Sequence, residues 1–248
     1  MFSLLSSKKF SIIIPVFNAV TILPNALQSV LNQSFADREI IIVDGGSTDG
    51  TVDYLKGLPK GDVIWISGKD EGIYDAMNKG VSMSSGEWIY FLGADDELAV
   101  GILETIAPKM ASSYHVIFGD VKFENGYRMV SNLKLRTWLQ NTLHHQSAFY
   151  SRSLFVNFHY DISLRIMSDY ELNLLVYSKS LPTLYISVIV AHCHSGGASS
   201  QWKLGLEETN LIRERFIKSR IKSKALSLIL TLYYVQKQLR KRIYGHKI

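Results

Sequence analysis

The first hundred residues alternate short apolar runs with amphipathic stretches. Residues 10–16 are isoleucine-rich and uncharged, the pattern of a strand covered on both faces. Leu23, Leu27, Val30 and Leu31 then recur at helical spacing, predicting a helix over 23–33 with Pro24 in its first turn, where proline is tolerated. The pattern continues with a strand at 39–43, a helix at 51–58, a strand at 63–67, a helix at 72–83 and a strand at 88–92. Strands and helices alternating through short links predict an α/β fold with a mostly parallel, Rossmann-like sheet flanked by helices and joined by right-handed crossovers. Beyond Leu98 the pattern loosens. It predicts a helix at 101–110, a hairpin of 116–123 with 127–130 about Asn125-Gly126, a helix at 168–177, a strand at 184–190 and a Gly/Ser-rich loop at 192–200. From Leu204 the chain reads as helical and basic to its end. The organisation is therefore an extension (1–9), one α/β domain (10–203) and a basic amphipathic helical tail (204–248).

Composition narrows this picture. A chain of 248 residues, 47% apolar and 20% charged, can bury a full core and is not of the disordered class. Cys193 is the one cysteine, so no intrachain disulfide is possible and a reducing compartment is expected. The start shows no apolar stretch behind a basic end, so no signal peptide is expected. The net charge of +5 hides an asymmetry. Residues 213–248 hold eleven Lys/Arg and one acid, for +10; the remaining 212 hold 16 basic and 21 acidic residues, for −5.

Ligands of an open parallel sheet sit beyond the carboxyl ends of its strands. The first strand ends in Pro15-Val16-Phe17-Asn18, the second in Asp44 and the fourth in Asp95-Asp96. Two strands thus bring carboxylates to one crevice, where they repel unless a cation or proton joins them. Asp95-Asp96 is a natural seat for Mg²⁺ or Mn²⁺. Plainer readings exist: Asp44 before Gly45-Gly46 suits a turn, and Asp95-Asp96 suits a cap on the next helix. The Gly45–Gly50 turn is no dinucleotide fingerprint, because Ser47 replaces the required glycine. Gly68-Lys69 lacks a following Ser/Thr and has Val63 upstream in place of glycine, which excludes a P-loop.

Three segments together carry a resemblance: 10–18 (FSIIIPVFN), 41–51 (IIVDGGSTDGT) and 86–96 (GEWIYFLGADD). They resemble family 2 glycosyltransferases, which have the GT-A fold, and 72–80 (GIYDAMNKG) resembles a bacterial branch that builds exopolysaccharides and O-antigens. The resemblance spans about 10–200 and implies an inverting transfer from a nucleotide sugar, with a uridine bias. It implies that Pro15 and Phe17, with Asn18 beside them, border the donor nucleotide and that Asp44 accepts from the base. Asn78 and Lys79 would face the donor. Asp96 would be the metal ligand and Asp95 would meet the ribose or share the metal, although Gly93 stands where many members carry another Asp. Ser168-Asp169-Tyr170-Glu171 resembles the segment holding the catalytic base, which implies Asp169; a helix cap is the plainer reading. His144 or His145 would touch acceptor. His192 or His194 would complete the metal shell, with Gly196-Gly197 letting a lid close.

In the tail, the largely apolar eleven-residue stretch 225–235 is too short to span a bilayer of ~30 Å, which takes about 20 residues in a helix. Arg213 to Lys224 and Lys237 to Arg242 flank them with positive charge, the pattern of a helix lying on an anionic membrane surface; a helix packed on the body is the alternative. The acidic body and the lack of a binding motif argue against nucleic acid. The expectation is a metal-dependent glycosyltransferase, cytoplasmic and peripheral on the inner face of the cell membrane. Its acceptor would be a saccharide or a polyprenyl-linked acceptor. The competing reading is a catalytically inactive nucleotide-sugar-binding scaffold subunit.

Overall fold

The computed structural model describes residues 9–59, 61, 63–194 and 201–244. The extension before Lys9, the Gly196-Gly197 lid and the last four residues lie outside these.

Four strands form the parallel half of the sheet: β1 (Phe10–Val16), β2 (Arg38–Asp44), β3 (Val63–Ser67) and β4 (Trp88–Phe91). They are linked by α1 (Leu23–Leu31), α2 (Thr51–Lys56) and α3 (Ile73–Met83). Ile12 and Ile14 of β1 pack into a core shared with α1, whereas Ile13 points to the other layer, against Tyr74, Ala76 and Met77 of α3. Both faces are therefore apolar, which is why β1 and β2 read as continuous apolar runs.

The second half is mixed. It contains β5 (Glu97–Leu98), β6 (Val116–Phe123), β7 (Arg128–Met129), β8 (Ala148–Ser151) and β9 (Thr183–Cys193). Among the described residues the sheet has nine strands, in the order β3-β2-β1-β4-β8-β6-β9-β5 with β7 on β6. The predicted hairpin is present as the antiparallel β6–β7 pair. The predicted strand at 184–190 extends further, so His192 and Cys193 belong to β9 and not to a loop. The predicted helix at 101–110 divides into α4 (Ile102–Ile106) and a 3₁₀ turn at Ala107–Lys109.

Three further helices follow: α5 (Ser168–Ser178), α6 (Trp202–Phe216) and α7 (Arg220–Tyr244). The expected domain boundary at 203/204 falls inside α6. Ile212 of α6 packs with Leu164, Tyr170 and Leu174. Arg213 is fully buried, donating to the Leu139 carbonyl at 3.3 Å, to Ser227 Oγ at 3.1 Å and to Asn210. Burial holds its pKa below the usual arginine value. Arg215 pairs with Glu171 and Asp161. These two arginines, expected to flank a membrane segment, are spent on internal structure.

Candidate active site

The pairing register sets the carboxyl ends of β1, β2 and β3 side by side, with Asp44 opposite Val16 and Ser67. Asp44 is only 1% exposed. It accepts from the backbone N–H groups of Gly46 and Ser47, each at 3.1 Å, from Ser67 Oγ at 2.6 Å and from the Ser47 hydroxyl. Burial pushes its pKa up, but these donors outweigh it and hold the carboxyl below its ordinary value. Asp44 therefore ties β2 to β3 and shapes the turn. It meets a base directly only when a serine hydroxyl gives way. Asn18, at φ 48°, accepts from Thr48 N–H at 2.9 Å, and its own N–H donates to Ser47 Oγ at 2.7 Å. Its side chain clamps that same turn.

Beside this edge lies a cavity of about 460 Å³ walled by Pro15, Phe17, Gly45, Lys69, Asp70 and Ile73 among others. Pro15 and Phe17 both line this cavity, with Phe17 65% exposed at the mouth. Asp70 and Lys69 were not anticipated. A Cβ on Gly45 would come within 2.6 Å of Asp70 Oδ2, so only glycine lets this carboxylate close over the β2 turn. The strand-end argument, applied to β3 as it was to β1, β2 and β4, would have flagged both residues.

Asn78 and Lys79 differ from expectation. Asn78 exchanges two hydrogen bonds with the Tyr160 backbone, Nδ2 to O and N to Oδ1, each at 2.9 Å. Lys79 pairs with Asp75 at 2.8 Å, one helical turn back, and its Nζ lies 3.4 Å from the Lys69 carbonyl. Neither lines the cavity; both brace the segments around it.

A second cavity, of about 580 Å³, shares Ile73 with the first and contains Asp95, Asp96, His144, His145, Gln146 and Asp169. β4 and β5 hold the Asp95-Asp96 loop at both ends, and β5 is anchored by the Glu97–His192 pair on β9. The two carboxylates sit in different surroundings. Asp96, 5% exposed, accepts from His194 N–H at 2.8 Å and from Gln146 Nε2, while Gln146 Oε1 accepts from Cys193 Sγ at 3.0 Å. Burial, then the neighbouring Asp95, pushes the Asp96 pKa above its ordinary value. Asp95 is exposed and faces the cavity.

Gly93 completes the arrangement. A Cβ there would collide with Asp96 Oδ2 and meet Gln146 Nε2 at 2.5 Å and Asp95 Oδ1 at 3.0 Å. Gln146 and Asp96 thus occupy the space a residue-93 side chain would need, and both carboxylates converge on it. Two converging oxygen donors that repel each other fit a hard divalent ion. Among the described residues no group of three His, Cys, Asp or Glu could hold a metal by itself. His192 lies on a separate groove, while His194 lines the cavity and sets its Nε2 3.8 Å from Glu124.

Asp169 stands at the start of α5, but it caps nothing. Met167 is the N-cap residue and no side chain caps the helix. The carboxylate accepts from Asn141 Nδ2 at 2.9 Å and Tyr74 Oη at 3.3 Å, with His145 Nδ1 at 3.7 Å. Stacked on His145, His144 is half-buried; desolvation first, then His145, push its pKa down to about 3. His144 is therefore a neutral packing group, while Asp169 lines the cavity.

The sequence profile of glycosyl transferase family 2 matches residues 11–169. The chain belongs to glycosyl transferase family 2. A PGL/p-HBAD biosynthesis glycosyltransferase of Mycobacterium tuberculosis is 32% identical, covering 94% of this chain and 92% of the relative. The GalNAc(5)-diNAcBac-PP-undecaprenol beta-1,3-glucosyltransferase of Campylobacter jejuni is 36% identical over 47% of this chain and 39% of its own length. Among solved structures, S. aureus TarS 1–349 in complex with UDP-GlcNAc aligns with TM-score 0.66 at 17% identity, over 82% of this chain and 66% of that one. The mannosyltransferase PcManGT from Pyrobaculum calidifontis, in complex with GDP-Man and Mn²⁺, aligns with TM-score 0.66 at 13% identity, over 86% and 65%.

Proposed function

We propose that the protein transfers a sugar, with inversion, from a nucleoside-diphosphate sugar to a saccharide hydroxyl at a membrane surface, with UDP as the favoured nucleotide. The observation that carries the reading is the joined pair of cavities. Pro15 and Phe17 wall the first, Asp95 and Asp169 face the second, and Ile73 belongs to both. A nucleoside in the first cavity extends its diphosphate and sugar toward the second.

Asp169 takes the proton of the attacking hydroxyl: of the three carboxylates in this cavity, Asp96 is held by the His194 N–H and Asp95 is given to the ion, which leaves Asp169. Tyr74 and Asn141 aim it, leaving other lone pairs toward the cavity. Asp95, supported by Asp96, would hold Mn²⁺ or Mg²⁺, which supplies positive charge against that developing on the leaving diphosphate. Holding hydroxyl and anomeric carbon in line contributes a large share of the rate. Donor complexes in TarS and PcManGT, the latter with Mn²⁺, support nucleotide and metal.

The lipid-linked acceptor rests on the Campylobacter relative's substrate and on α7. Ser223, Ser227, Leu230 and Tyr234 turn inward, and Tyr234 walls the second cavity. Ile221, Leu228, Leu232, Val235 and Leu239 turn outward as an exposed apolar row. Seven basic residues and no acid accompany this row, so an anionic surface suits it better than a second copy of the same helix. No described helix is long and apolar enough to cross a membrane. On this reading attachment is peripheral, through the basic and apolar α7 at the anionic inner leaflet.

A panel of nucleotide sugars tests the donor. UDP-sugars should raise the melting temperature only with Mn²⁺ or Mg²⁺ present, and equal shifts with chelator would remove the metal. The scaffold reading keeps one observation, the absence of a carboxylate at Gly93. Release of UDP by water in the absence of acceptor rules it out.

A further inference from the structure

A buried carboxylate organises the segment just before Asp169. Glu208 of α6 accepts three backbone N–H groups, from Arg165 at 2.7 Å, Ile166 at 3.0 Å and Met167 at 2.9 Å. A charged acceptor with three main-chain donors fixes the backbone more firmly than neutral contacts do. Arg215, two turns further along α6, holds Glu171 at 2.7 and 2.8 Å and Asp161 at 2.6 Å, on either side of that segment. The stretch from 161 to 171 is thus bracketed by α6.

What this frame presents is the side chain of Arg165. It is exposed and forms no ion pair or side-chain hydrogen bond among the described residues. It lines the Asp95–Asp169 cavity and also a neighbouring one of about 600 Å³ bounded by Asp70–Tyr74. Among the described residues it is the one Lys or Arg in the lining of either. The other arginines nearby, Arg213 and Arg215, are consumed by internal partners. A fixed backbone carrying an uncommitted guanidinium beside three carboxylates has no structural partner to explain it. An anion brought by substrate does explain it.

We propose that Arg165 binds a diphosphate where these two cavities meet, and that Glu208 is its positioning residue. The proposal rests on the nucleotide-sugar reading. A planar guanidinium offers paired N–H donors to two phosphate oxygens, a geometry a lysine cannot reproduce. The diphosphate belongs either to the donor or to a lipid-linked acceptor, and the chemistry at Arg165 is the same.

Calorimetry on the full chain with Mn²⁺ tests this, using inorganic diphosphate, UDP and a short-chain polyprenyl diphosphate as probes. Arg165→Met should weaken inorganic diphosphate about tenfold or more, and Arg165→Lys should recover part of the loss. A parallel loss for UDP assigns the donor diphosphate. UDP binding retained while the polyprenyl diphosphate weakens assigns the acceptor. Glu208→Gln should weaken diphosphate in the wild-type background and add nothing in the Arg165→Met background, because it acts through Arg165. Unchanged affinity of Arg165→Met for all three probes overturns the proposal. If the wild type binds no nucleotide, the donor reading fails, while the inorganic diphosphate comparison still judges Arg165.

Discussion

Replacing Asp169 with asparagine keeps the shape of the side chain and removes its ability to take a proton. The structural cost follows from its partners. Asn141 Nδ2 donates to Oδ2 at 2.9 Å, and Asn141 is itself oriented by Asn173, whose Nδ2 donates to Asn141 Oδ1 at 3.0 Å. The amide oxygen at 169 must therefore face Asn141, which turns the new N–H group toward Tyr74. The Tyr74 hydroxyl then loses its charged acceptor at 3.3 Å. One lost charge-assisted bond costs about 1–2 kcal/mol, or ~2–4 °C of melting temperature for each kcal/mol in a chain of this size. The catalytic loss is larger, ~10²–10⁴-fold in turnover, the usual worth of a positioned base. Donor affinity should hold, because a loss in turnover with binding retained marks an interaction made in the transition state. The assay is UDP release at saturating donor and acceptor, paired with a thermal melt and a UDP titration. Glu171 cannot substitute, since Arg215 occupies its carboxylate. A folded asparagine variant that turns over within a few-fold of wild type refutes the assignment.

Three other outcomes follow from the same geometry. Asp95→Ala should abolish the Mn²⁺-dependent rise in melting temperature and lower transfer at least ~10²-fold, since a catalytic metal is worth several kcal/mol; a retained thermal shift counts against Asp95 as the ligand. His144 is held at about 3, so below its ordinary 6.5 the unfolded chain takes up a proton that the folded chain refuses. Stability is then lost as pH falls from 6.5 toward 3, by up to ~1.4 kcal/mol per pH unit, and His144→Gln should remove that slope. Parallel melting-versus-pH curves for the two proteins would contradict it. Leu228→Glu with Leu232→Glu, both on the outer face of α7, should release the chain from anionic vesicles without lowering its melting temperature. Two leucines leaving an apolar phase forfeit roughly 3 kcal/mol, more than ~10²-fold in partitioning, so equal sedimentation with vesicles would refute the membrane face.

The parallel half of the fold was legible because its strands are covered on both sides, so burial writes itself as apolar runs such as 10–16. The strand-end rule then found Pro15, Phe17 and the Asp95-Asp96 pair. What it could not assign was which aspartate is free. That depends on Gln146 and on the His194 N–H, 50 and 98 residues away from Asp96. β5 and β8 were missed because two to four residues carry too little periodicity. The tail misled more deeply. Arg213 looks like one member of a charge run, yet long-range packing of α6 on α5 makes it an interior residue. The same packing brings Glu208 to the backbone of Arg165–Met167, a contact between residues more than forty positions apart. Asn78 and Lys79 show that a recognisable motif also carries internal contacts, to the Tyr160 backbone and to Asp75, that sequence does not display.

Inverting sugar transfer from a nucleotide donor, proposed for the cavity faced by Asp95 and Asp169 and its neighbour, fixes the stereochemistry of the product. The most direct test is proton NMR of a reaction holding the full chain, Mn²⁺, an α-linked UDP-sugar and a polyprenyl-diphosphate-linked saccharide. The account predicts UDP and glycosylated product in equal amounts, with the new linkage in the β configuration. A donor that binds but is never cleaved, or a product that keeps the α configuration, contradicts it.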